Sequence, residues 1–158
     1  MTAFLACLVA AAAAAASPTN SHMKVRSRSC DVDRKAGVVM LEGDVFVDHS
    51  DGYTLTADTV YLFLAEGNAL GRVVASGNVV MSNGARVASC PLAVYRRRRR
   101  EVEMFSDGKG GFARLVDSGG GRREIEGGRM RFWLDTEQVE VVEPRITLGK
   151  AEGAVLHE

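Results

Sequence analysis

The chain has 158 residues, enough for one domain and too few for two enzymatic lobes. Lys plus Arg and Asp plus Glu each total 20, so no net field draws the whole molecule to nucleic acid or to an anionic membrane. Apolar residues make up 46% of the sequence, but one unbroken apolar block at residues 3–16 holds a large share of them and leaves a modestly apolar remainder rich in Gly, Val and Arg.

That first block is too short for a membrane span of about 20 residues. It ends in an alanine run before Ser17-Pro18, and small residues ahead of a polar, turn-forming segment are what signal peptidase reads. The expectation is a cleaved leader over 1–16, a linker over 17–24, one β domain over 25–148 and a C-terminal tail over 149–158. A second reading takes Leu5, Ala6 and Cys7 as a lipidation box. Past the leader only Cys30 and Cys90 remain, and His22, His49 and His157 are not in metal-ligand spacing with one another or with a Cys. No serine stands in a G-x-S-x-G elbow, and the glycine cluster at 108–111 lacks the phosphate-loop pattern. Asp44, Asp48, Asp51 and Asp58 raise a carboxylate pair or a calcium site, but they fall at outward or turn positions without an Asp-x-Asp-x-Asp-Gly loop. No enzyme, cofactor or metal is expected.

From Val25 onward apolar residues recur at period two, and Asp51-Gly52 and Asn83-Gly84 mark hairpin turns. Above this runs an internal repeat. Leu55, Ala57, Val60 and Leu62 are spaced two, three and two apart. The same spacing recurs in Val87, Ser89, Leu92, Val94, in Ile125, Gly127, Met130, Phe132, and faintly in Val25, Ser27, Cys30, Val32. Steps of two keep side chains on one face, and a step of three needs a bulge or bend to return to it, so each copy predicts a strand that turns a corner with one apolar face inward. On this alignment Cys30 points inward and Cys90 outward, which predicts two unpaired thiols. Return strands follow: Val39, Leu41, Gly43, Val45, Val47, then Val73, Ala75, Gly77, Val79, Met81, with a weaker last one at Val142, Pro144, Ile146 and Leu148. The glycine-rich stretch at 106–121 has no readable register.

The words LEGDVFV, YTLTADTVYLF and RVVASGNVVM, joined by short hairpins, resemble the OstA-like domain of the lipopolysaccharide transport protein A (LptA) family over 25–148. The LptC ectodomain branch is the second choice. Gly43, Asp44, Val45, Ala57, Asp58, Gly77, Asn78 and Val79 sit on the family's words, whereas Ser89-Cys90 and Gly127-Gly128 stand where the family prefers Ala-Asp. The resemblance implies an all-β fold, a semi-open antiparallel β-jellyroll in the periplasm that holds the lipid A acyl chains of lipopolysaccharide in an apolar groove. It further implies jellyroll partners, LptC-like at the inner membrane and LptD-like at the outer, and head-to-tail self-assembly. The lipid-binding candidates are Leu55, Val60, Leu62, Val79, Leu92, Val94, Ile125, Met130 and Phe132. In an anonymous β domain the same residues would be ordinary core. Arg96 to Arg100 form the one charge run, at a hairpin tip, serving lipid phosphates, a membrane surface or an acidic partner, or simply a solvated turn. The competing class is a polymerising β-repeat protein without lipid cargo, though its units would be more evenly spaced than these.

Overall fold

The computed structural model describes residues 23–49, 52–136 and 138–149, so the expected leader and most of the expected linker and tail lie outside the described residues. Twelve strands make one sheet: β1 (Met23–Arg26), β2 (Ser29–Asp33), β3 (Val38–His49), β4 (Tyr53–Leu64), β5 (Leu70–Ser82), β6 (Arg86–Arg96), β7 (Glu101–Phe105), β8 (Ala113–Asp117), β9 (Arg123–Gly127), β10 (Arg129–Trp133), β11 (Val139–Val142) and β12 (Arg145–Leu148). Strand β1 thus begins two residues before Val25. All of their pairings are antiparallel.

The four long strands β3 to β6 bend midway and serve two half-sheets. One half runs β2-β3-β4-β5-β6-β7-β10-β11 and the other β1-β3-β4-β5-β6-β8-β9-β12. Their inner faces share one core, in which Leu41, Val60, Ala75, Met104 and Met130 of the first half meet Val45, Ala57, Val79, Ala88 and Ala113 of the second. This is the expected all-β, semi-open antiparallel jellyroll.

The corner follows from local chemistry. On β4 the step of three from Ala57 to Val60 keeps both side chains buried, and the ladder to β3 slips between Glu42 and Val45. The return strands cross the corner on two consecutive left-handed residues, Gly43 and Asp44 (φ 79° and 47°) on β3 and Gly77 and Asn78 (φ 78° and 47°) on β5. Such angles favour Gly, with Asn and Asp the best tolerated of the rest. Close approach adds a second requirement at Gly77, where a Cβ would stand 2.4 Å from Asp58 Oδ2. Asn78 Nδ2 donates to that same oxygen at 2.9 Å, and Arg28 pairs with Asp44 at the equivalent place one strand earlier.

Strand β6 departs from the sequence expectation by one residue. Its inward residues are Ala88, Cys90, Ala93 and Tyr95. Leu92 and Val94 lie on the outer face, opposite Phe105 and Glu103 of β7. The step of three is present but falls between Cys90 and Ala93, so the corner residue is Pro91. The slip arose because the larger aliphatics of β6 lie outside and the small ones inside, and a one-residue slip exchanges the two faces. Cys90 is therefore buried on the inner face, and Cys30, exposed on edge strand β2, shares the face of its partner Leu41. Both thiols are free as expected, but not because they face opposite ways.

The glycine-rich stretch is a loop, then β8, then the turn into β9. In the loop Asp107 Oδ1 accepts from the N–H of Lys109 at 2.8 Å and of Gly111 at 2.9 Å, which holds its carboxyl below the usual carboxylate range.

Candidate functional site

The inner face is the apolar surface that the two half-sheets present to each other, and its burial is graded. Near the corner Val60 and Met130 are 0% exposed and Val79 is 1% exposed. Leu62 is also buried, whereas Leu55 and Ile125 are only partly covered and flank the core. At the β8–β11 end the half-sheets leave a cleft of about 160 Å³ between Leu115 and Ile125 of the second half and Phe132 and Val139 of the first. Of the nine lipid-binding candidates, seven thus share the inner face, and of those Ile125 and Phe132 line the cleft. Leu92 and Val94 do not belong to it. Leu115 escaped sequence reasoning because the register of the glycine-rich stretch was unreadable, and Val139 because the last return strand was read only from Val142 on. The alternation of Ala113, Leu115 and Asp117 was the available signal.

The rim of the cleft carries Arg86, Asp117 and Arg123, which stand opposite one another on β6, β8 and β9. Asp117 accepts from Gly119 N–H at 2.9 Å and from Arg86 Nε at 3.2 Å. The Gly119 hydrogen bond, followed by that from Arg86, outweighs partial desolvation and holds the Asp117 carboxyl below its ordinary range. A second hollow, walled by Arg26, Arg28, Asp44 and Phe46, is shallower and lies outside the jellyroll.

The arginine run occupies the β6–β7 turn, with Arg97–Arg99 in a 3-10 turn and Arg100 left-handed. Several of its charges are answered locally. Arg96 Nη1 donates to Glu103 at 2.7 Å and to Glu101 at 3.2 Å, Arg99 lies 3.6 Å from Glu101, and Arg100 pairs with Asp135. Glu103 is the hub of this outer face, with Arg129 at 2.7 Å and Arg131 at 3.4 Å on its other oxygen. Desolvation pushes its pKa up, but the Arg96 hydrogen bond and the charges of Arg129, Arg96 and Arg131 bring it below the ordinary value. Among the described residues no group of three or more His, Cys, Asp or Glu side chains could hold a metal, and no helix is long and apolar enough to cross a membrane.

Residues 24–138 match the family described as LptA/(LptD N-terminal domain) LPS transport protein. The chain belongs to this family. Membership places it among the components of lipopolysaccharide transport. Among solved structures it is similar to LptH, described as the LptA homologous periplasmic component of the conserved lipopolysaccharide transport device from Pseudomonas aeruginosa. The similarity has a TM-score of 0.68 at 19% identity and covers 82% of this chain and 94% of that one. No curated protein matches the chain. The family's Ala-Asp word is met at Ala57-Asp58, which the structure shows as the corner pin beneath Gly77. At β6 the equivalent pair is Cys90-Pro91, and a Cβ added at Gly111 would stand 2.7 Å from the Pro91 ring and 3.0 Å from the Asp107 carboxylate.

Proposed function

We propose that this protein is a periplasmic lipopolysaccharide carrier that holds lipid A acyl chains against its inner face. In this reading it bridges the inner and outer membranes by strand pairing with LptC-like and LptD-like jellyrolls. The observation that carries the reading is the open inner face itself. Among the described residues nothing covers its two ends, with Val32 on edge strand β2 and Ile146 and Leu148 on edge strand β12 left 39%, 62% and 72% exposed on the inner side. A partner strand added at either edge would satisfy unpaired backbone groups and continue the apolar surface.

Near the corner the two half-sheets lie against each other, and the cleft is about as large as an apolar cavity that holds one benzene, ~150 Å³. A bundle of acyl chains enters only when the half-sheets part. Parting exposes inner-face area that the lipid then covers again, so the net gain comes from the lipid's own apolar surface, at about 25 cal/mol per Å². Affinity is then spread over area without a directional trap, which suits a ligand that must leave again.

The test is photo-crosslinking from Phe132 and, as a control, from Val94. Crosslinks to lipopolysaccharide at Phe132 and none at Val94 are expected. Rod-like assemblies that copurify without lipid and give no crosslink at Phe132 would replace the carrier reading with the polymerising one.

A further inference from the structure

We propose that the rim of the β8–β11 cleft is a headgroup subsite, where the Arg123 guanidinium binds a phosphate of an acylated ligand whose chain lies between Leu115, Ile125, Phe132 and Val139. The proposal deepens the carrier reading and rests on it. Elsewhere most core-facing positions of the half-sheets are filled by apolar side chains, and charge turned towards such a face carries a desolvation cost. Yet Arg86, Asp117 and Arg123 stand in one row on three adjacent strands, at the mouth of the cleft described above.

The row holds two guanidinium groups and one carboxylate, so it carries one positive charge in excess. Asp117 closes its ion pair with Arg86 at 3.2 Å and takes the Gly119 N–H on its other oxygen. Arg123 enters that arrangement only through its longer-range field. Its fork is thus placed at the lip of an apolar slot, and a guanidinium fork matches two phosphate oxygens in one plane. Beside it on β12, Leu148 stands opposite Arg123 and is 72% exposed, an apolar shoulder for a second chain. The combination of an apolar slot, an apolar shoulder and one unbalanced guanidinium fits an anionic amphiphile better than a neutral one. The five-arginine turn does not offer the same site, because it stands on the outer face away from the cleft, and Glu101, Glu103 and Asp135 already answer Arg96, Arg99 and Arg100.

The experiment measures equilibrium binding of bisphosphorylated lipid A, and of the same lipid after phosphatase treatment, to the purified full chain. The wild type is expected to prefer the phosphorylated lipid by about tenfold, the worth of one charge-assisted contact at a partly exposed site. Arg123→Gln should erase the preference by weakening the phosphorylated lipid alone. Asp117→Asn should do the opposite and tighten it a few-fold, since it removes the one negative charge of the row while an amide oxygen still accepts from Gly119. A purely structural role for the row predicts losses in both variants. Equal affinity of the wild type for the two lipids, or an equal loss in Arg98→Gln at the exposed turn, overturns the subsite and leaves the carrier reading intact. Binding of neither lipid overturns both. An excess of inorganic phosphate should not displace the lipid, because the chain and the headgroup act together, and displacement would assign the rim to the free anion instead.

Discussion

The facing of β6 can be tested by placing a carboxyl on either of two neighbouring residues. Ala93 is 3% exposed on the inner face, with Ala75 and Met104 as its cross-strand neighbours and no polar group from either to receive a charge. In Ala93→Asp the introduced carboxyl must either ionise in the core or stay protonated. Buried carboxyls shift by up to ~3–5 pKa units and each unit is worth ~1.4 kcal/mol, so the expected cost at neutral pH is about 4–7 kcal/mol. That is comparable to the whole stability of a small domain, ~5–15 kcal/mol. Val94 is half-buried on the outer face beside Glu103 and close to the arginines that surround it. There Val94→Asp loses part of one aliphatic side chain, at about 1 kcal/mol, and its charge stays near solvent and cations. Urea unfolding followed by circular dichroism reads the difference. The pH dependence has a definite sign. In Ala93→Asp the folded-state pKa lies above the unfolded value of ~3.9, so the penalty is absent below that pH and grows until the folded pKa is passed. A Val94→Asp variant as damaged as Ala93→Asp, or more so, would refute the register.

Other expectations follow from the same coordinates. Gly77→Ala and Gly84→Ala both force alanine into the left-handed region, at ~1–2 kcal/mol, but nothing lies near a Cβ at Gly84 whereas Asp58 blocks one at Gly77. Gly77→Ala should therefore lose at least ~2 kcal/mol more in denaturant titration, and part of the excess should return in Asp58→Gly/Gly77→Ala. Glu103→Gln should cost about 3 kcal/mol by leaving Arg96, Arg129 and Arg131 without their shared anion. Because the Glu103 pKa is lowered, its contribution is present above the unfolded value of ~4.3 and fades as the pH falls through the folded one, so the variant should also show a flatter acid unfolding profile. Of the two described cysteines, a maleimide at pH 8 should modify Cys30, which is exposed, and leave Cys90, whose thiol burial pushes up to about 12. Concentration-dependent protection of Cys30 reports strand addition at the β2 edge, and its absence in a concentration range where sedimentation detects oligomers would place the contact elsewhere.

The features that could be read in advance are those with a local cause. Left-handed backbone at the corner demands Gly followed by Asp or Asn, so Gly43-Asp44 and Gly77-Asn78 were visible as words. The hairpin turn at Asn83-Gly84 was visible for the same reason. The step of three on β4 was visible because Leu55, Ala57 and Val60 stand among Thr54, Thr56, Asp58 and Thr59. On β6 that contrast fails, since Leu92 and Val94 rest half-buried against the outer-face neighbours Phe105 and Glu103, and side-chain size carries no information on facing. The rim row was invisible for another reason. Arg86, Asp117 and Arg123 are brought together by ladder register between β6, β8 and β9, and no local pattern encodes a pairing across so many intervening residues. For the arginine run, Glu101 and Glu103 follow directly in the sequence, whereas Asp135, beyond β10, is brought to Arg100 only by the fold.

The described residues place eight strand segments in each half-sheet, and every neighbouring pair is antiparallel. An even number makes the first and last segments of a half run in opposite directions. A second copy set beyond β11 and β12 by translation alone then offers β2 and β1 in the antiparallel sense, and no copy has to be turned over. With an odd number each added copy would be inverted, and successive clefts would open on alternate sides. Strand parity alone therefore gives any such filament a polarity, so that a cargo moving along it would meet the same sequence of surfaces in every unit.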